Sequence, residues 1–260
     1  MTNVSLRLYI ETDDTEYPGL KRLKLQGKDL ENVPAELFML RELQVLDMSP
    51  ERQPSLTYKL LELPSDIGYL INLRILILDT NELHSLPSEI GSLTQLEKLS
   101  ASNNQLKSLP TSMERLKQMK SLHLANNLFA EFPKPILKLT KLEFLDLSSN
   151  HLETLPSSIT ELINLESLLL FDNRLTSLPE DIGELRNIRC LWLGDNRLES
   201  LPQSIVELRG LIWSPLLSPS TTVGGNPLKD PPIKLYSLHN RYHRWMTLLK
   251  KNFCSSEQFH

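Results

Sequence analysis

A 23-residue period constrains this sequence more than any other feature. Units open at Leu20, Leu73, Leu96, Met119, Leu142, Leu165, Ile188 and Leu211, with a displaced second unit opening at Leu43, and each follows the pattern LxxLxLxxNxLxxLPxxIxxLxx. Asn81, Asn104, Asn127, Asn150, Asn173 and Asn196 fall in one column, and Pro87, Pro110, Pro133, Pro156, Pro179 and Pro202 in another. Two more columns are apolar throughout, Ile90 to Ile205 and Leu93 to Leu208. A repeat of this length is one supersecondary unit that buries its apolar face only by stacking on its neighbours.

Within each unit the LxLxx stretch has a period of two. Leu145 and Leu147 therefore point to one side of a short strand, and Phe144, Asp146 and Ser148 to the other. The next strand comes a whole repeat later and runs the same way, which predicts a parallel sheet of about nine strands at roughly 4.8 Å spacing. The column asparagine turns the chain after each strand and can satisfy backbone groups of its own and neighbouring turns. The Leu-Pro pair then ends the strand pattern, and IxxLxx closes the opposite side.

On these residues the chain resembles a leucine-rich repeat protein, of the 23-residue LPxxIxxL kind found in Ras-group intracellular leucine-rich repeat proteins. The resemblance covers roughly residues 20 to 240. It implies an α/β solenoid, a curved horseshoe with a concave parallel sheet and an irregular convex side, and signalling partners such as small GTPases or phosphatase catalytic subunits. The distinctive C-terminal motif of the plant members is absent. Such motifs specify a fold tightly and a function weakly.

Three stretches leave the pattern. Seven extra residues in the second unit place a loop near 49–58, with Tyr58 in the asparagine column; this reads as a binding loop or as a tolerated insertion. Seven more follow Leu211, and register returns at Asn226; residues 212–222 read as an irregular loop or as a splice or gene-model variant. A solenoid must also blunt its ends. Residues 1–19 serve as an N-terminal cap in which Val4, Leu6, Leu8 and Ile10 alternate like a strand. Leu235, Leu238, Tyr242, Trp245 and Leu249 mark one face of an amphipathic helix, so a C-terminal capping helix and tail occupy 239–260, after a repeat domain spanning 20–238.

Composition narrows the function. The 260 residues are 40% hydrophobic and 23% charged, as in an ordinary soluble protein, and the net charge of −4 argues against wholesale phosphate binding and so against nucleic acid. Arg7 and the acids at 11, 13 and 14 break any signal peptide, and no stretch is apolar enough for membrane insertion. Two cysteines without clustered spacing fit a reducing compartment, so the expected location is cytoplasmic. No nucleotide loop, HExxH motif or metal-ligand cluster occurs; His239 and His243 lack a third ligand, and Cys190 lacks a base. The expectation is therefore a non-enzyme without cofactor or metal, monomeric when alone.

The outward strand positions carry the functional reading. They include Val45 and Asp47, Ile77 and Asp79, His123, Phe144 and Asp146, Phe171 and Asp172, and Trp192 and Asp195. Phe144, Phe171 and Trp192 come from consecutive units and should lie near one another. Exposed aromatics rimmed by acids suit a protein partner with basic and apolar anchor residues. The bland alternative is that aromatics favour strands and pack on cross-strand neighbours, with the aspartates as turn residues. The expected role is a protein-interaction scaffold or regulatory subunit; the alternative is a structural component of cytoskeleton or axoneme, docked through the basic side of the C-terminal helix.

Overall fold

The structure, a computed structural model, describes residues 6–25, 27–50, 58–211 and 221–229. The expected capping helix, Cys254 and most of both insertions lie outside these residues. The chain forms two compact bodies: Met1–Leu128 with Pro133–Leu142, and Phe129–Phe132 with Glu143–His260.

The first body holds β1 (Arg22–Lys24), β2 (Val45–Asp47), β3 (Ile75–Ile77), β4 (Lys98–Ser100) and β5 (Ser121–His123), all parallel. Register is unbroken along Arg22, Val45, Ile75, Lys98 and Ser121, the first position of each strand. The second body holds β6 (Phe144–Asp146), β7 (Ser167–Leu169), β8 (Cys190–Trp192) and β9 (Thr221–Thr222), again parallel, with Phe144, Ser167 and Cys190 in register. The central leucines of β1 to β8 are at most 1% exposed. One residue past each strand, Met48, Leu78, Leu124, Leu147, Leu170 and Leu193 are fully buried, so alternation along the strand sets the core.

The buried asparagines fasten one turn to the next. Asn173 Oδ1 accepts from the Leu152 amide at 3.0 Å, and its Nδ2 donates to the carbonyls of Leu147 (2.9 Å) and Leu170 (3.2 Å). Asn104 and Asn196 repeat the arrangement. Asn226 bonds Leu198 across 28 residues where its counterparts span 21, an excess of seven that the chain absorbs before Asn226 without breaking the ladder. Asn81 likewise reaches Met48 across 33 residues instead of 26, and its bond to Leu60 puts Tyr58 in the asparagine position of the second unit.

The side opposite the strands is more regular than the sequence suggests. Each LPxxIxxL segment forms a short 3-10 helix: Ala35–Met39, Ser65–Tyr69, Ser88–Ser92, Thr111–Arg115 and Lys134–Lys138 in the first body, and Ser157–Glu161, Ile182–Glu184 and Gln203–Glu207 in the second. The capping prolines have φ between −60° and −72°, and isoleucine and leucine three apart then fall on one side of a helix with three residues per turn.

The N-terminal segment departs from expectation. Leu6–Tyr9 is a 3-10 helix, not a strand, with Leu6 buried and Leu8 76% exposed, so the two leucines do not share a face. Among the described residues before Leu20, only Glu11 pairs with the sheet, through an antiparallel bridge to Arg22 closed by reciprocal 2.8 Å hydrogen bonds. A parallel ladder is extended by strands that return after a full repeat; residues before Leu20 have no such return and arrive from the other direction. Val45 and Asp47 also correct the outward assignment. They are 0% and 5% exposed: the Asp47 carboxylate is engaged by Arg22 and Ser49, and Val45 stands in register between Arg22 and Ile75 on a face that Tyr17 spans from Arg22 to Lys98.

Candidate functional site

The second body carries Phe144, Asp146, Phe171, Asp172, Trp192 and Asp195. Phe144 and Trp192 are half-buried at the first position of β6 and the third of β8, while Phe171 lies two residues beyond β7 and is 37% exposed. From strand spacing and rise, Trp192 and Phe171 attach about 8 Å apart, Phe144 and Trp192 about 12 Å, and Phe144 and Phe171 about 14 Å. The three share a ladder face without forming one tight cluster. Between them lies Leu169, paired in register with Asp146 and Trp192 and only 8% exposed.

Phe171 leans across to the next repeat. A side-chain carbon at Gly194 would meet its ring at 3.1 and 3.3 Å, so the ring rests in the notch that this glycine leaves. The chance to read that notch lay in the repeat columns, where Gly194 and Phe171 occupy the same position.

The aspartates divide into two kinds. Asp146 Oδ1 accepts from the Ser148 amide at 2.9 Å, a local turn that leaves the carboxylate half-buried. Asp172 and Asp195 have φ of 55° and 51° and stand immediately before the column asparagines. Thr80, Asn103, Asn126 and Ser149 hold the same left-handed conformation in their repeats. Asn, Asp and Gly adopt that region most easily, so backbone geometry alone accounts for an aspartate there, and its exposed carboxylate is available as well. A column of small polar residues before each asparagine was the signal for this turn.

Thr80 is the misfit in that column, because a β-branched residue at φ 63° is strained. Thr80→Gly is expected to raise stability by about 1 kcal/mol. Denaturant melts of the two chains measure it, and a loss of stability would contradict the assignment.

Ile77, Asp79 and His123 lie in the first body. Ile77 is half-buried between Asp47 and Ser100 in register. The Asp79 carboxylate accepts from Ser100 Oγ (2.8 and 2.7 Å) and the Ser102 amide (2.7 Å), which ties two repeats together. His123 Nε2 lies 2.8 Å from Ser121 Oγ on the same strand.

Burial raises the Cys190 thiol above its ordinary value, so it stays protonated near neutral pH and is a poor nucleophile. Among the described residues no three metal-ligating side chains converge, and no helix is long and apolar enough to cross a membrane.

Residues 71–129 match the family described as leucine rich repeat, and residues 141–162 and 164–185 match a second family of the same description. No curated protein matches the chain. Among solved structures, a Leptospira interrogans leucine-rich repeat protein is 33% identical with a TM-score of 0.74; the alignment covers 85% of this chain and 53% of that one. The PEPR1–AtPEP1 structure is 25% identical over 78% of this chain and 28% of that one, with a TM-score of 0.66. The leucine-rich repeat ectodomain of the plant membrane receptor kinase GASSHO1/SCHENGEN3 from Arabidopsis thaliana is 28% identical over 83% of this chain and 28% of that one, with a TM-score of 0.59. The chain thus spans about half the length of the Leptospira protein and less of the other two. Repeat register, asparagine ladder and these likenesses agree: the chain carries leucine-rich repeats and has the leucine-rich repeat solenoid fold.

Proposed function

We propose that this chain is a non-enzymatic protein-interaction module, a cytoplasmic scaffold or regulatory subunit that holds a partner on the strand face of its second body. The observation that carries the reading is the charge pattern. From the first strand position to the left-handed turn, the three repeats of β6, β7 and β8 hold Asp146, Asp172 and Asp195 and no Lys or Arg. Among these acids stand Phe144, Phe171 and Trp192, none fully covered. Aromatic anchors spread over about 14 Å suit an extended segment of about four residues with apolar and basic side chains. Charge then sets the orientation and the encounter rate.

Ile77, His123 and Asp79 form a separate, more engaged patch on the first body and are assigned a lesser part. The Arabidopsis relative was solved in complex with CASPARIAN STRIP INTEGRITY FACTOR 2, which supports partner binding by this fold. The repeat pattern's resemblance to Ras-group proteins favours small-GTPase or phosphatase signalling as the setting.

Affinity purification from cells tests this. The wild-type chain should recover a discrete partner that Phe144→Ala/Phe171→Ala/Trp192→Ala loses by at least tenfold while still melting cooperatively. Undiminished recovery by the folded variant rules the site out. Co-sedimentation with filaments, lost on charge reversal of Arg241, Arg244, Lys250 and Lys251, supports the structural alternative instead.

A further inference from the structure

The first body already displays an occupant on its strand face. Glu11 and Arg22 close a loop whose residues Asp14 and Tyr17 contact Arg22 on β1, and Tyr17 also meets Lys98 on β4. The Asp14 carboxylate accepts from the amides of Glu16 (2.8 Å) and Tyr17 (2.9 Å), which folds the segment, and it also pairs with the Arg22 guanidinium. Arg22 in turn reaches Asp47 at 3.1 Å. Tyr17 is 8% exposed, and its ring sits between two cations, 5.9 Å from the Arg22 guanidinium carbon and 5.7 Å from Lys98 Nζ. Its hydroxyl donates to Glu16 at 2.5 Å and accepts from Lys98 at 3.3 Å, across 81 residues of sequence.

The face beneath has a matching design. The first strand positions of β1 to β4 read Arg22, Val45, Ile75 and Lys98 in register. Two cations about 14 Å apart thus bracket an apolar floor. Val45 is completely covered although alternation would leave it open, and Arg22 Nε is buried without a hydrogen-bond partner among the described residues. Basic brackets and an apolar floor complement an acidic segment with one aromatic side chain, and the strap, Asp-Thr-Glu-Tyr, has that composition.

We propose that the face of β1 to β4 is a binding site for an acidic, tyrosine-bearing segment of a partner protein, and that residues 14–17 occupy it in cis. Only residues 18–21 separate Tyr17 from β1, the first strand of the face, so the strap acts at an effective concentration on the order of millimolar. An outside segment gains entry only when the strap is released or when it binds more tightly. The proposal concerns a different body from the aromatic face and stands or falls separately.

The test uses the full chain and a fluorescein-labelled peptide of residues 12–19, TDDTEYPG. Asp14→Ala/Tyr17→Ala should bind the peptide at least tenfold more tightly than wild type, and adding Lys98→Glu should abolish the gain. A folded double variant that ignores the peptide, or a gain that survives Lys98→Glu, overturns the proposal. A second readout does not depend on the double variant folding. Lys98→Glu alone, a substitution at a half-buried side chain, should speed hydrogen exchange of the Glu16 and Tyr17 amides severalfold, and unchanged exchange overturns the proposal as well.

Discussion

Leu147→Ala should lower stability by about 2–5 kcal/mol, while Asp146→Ala, one residue away, should cost less than about 1.5 kcal/mol. Leu147 is fully buried, so truncation removes apolar contacts and leaves a cavity that close-packed neighbours fill only in part. Asp146 is half-buried and gives up one hydrogen bond to the Ser148 amide, which water can replace. At about 2–4 °C per kcal/mol for a chain of this size, the leucine variant should melt about 4–20 °C lower. Thermal melts of the two variants side by side decide the matter. Equal losses would mean that the strand faces the other way.

The second large effect is expected at Asn173. Alanine there leaves the buried Leu152 amide without its partner and removes one of two donors from each of the Leu147 and Leu170 carbonyls, which keep Asn150 and Asn196. The orphaned amide costs about 1–3 kcal/mol and each lost carbonyl bond about 0.5–1.5 kcal/mol, so Asn173→Ala should lose about 2–6 kcal/mol. Asn173→Asp should be no better, since it keeps the acceptor but removes both donors and introduces a buried charge. Amide exchange at Leu152 should accelerate in both variants. A loss below about 1 kcal/mol from alanine would show that water takes over the ladder.

Much of this was open to reading in advance because a repeat is a local code. Strand, turn, proline and 3-10 helix all lie within 23 residues, and the same arrangement is tested again in every unit. The strand faces at Leu145 and Leu168 follow from alternation alone. The positive φ at Asp172 and Asp195 does not, because aspartate serves a turn and a binding surface equally well, and only the backbone tells which demand it meets. Phe171 is similar: its side of the strand is local, but its rest against Gly194 belongs to a neighbouring repeat.

The N-terminal segment lay beyond any such reading. Its alternation of Val4, Leu6, Leu8 and Ile10 suits a strand, yet Leu6–Tyr9 forms a 3-10 helix and Glu11 then bridges to Arg22 in the antiparallel sense. Nothing near Tyr17 in the sequence announces Lys98.

The sequence by itself determined the repeat, its register and which leucines are buried, since those depend on spacing and period. Only the tertiary structure decided which outward positions are open. That depends on contacts between residues far apart in the chain, and the 81-residue reach from Tyr17 to Lys98 is one that no local pattern encodes.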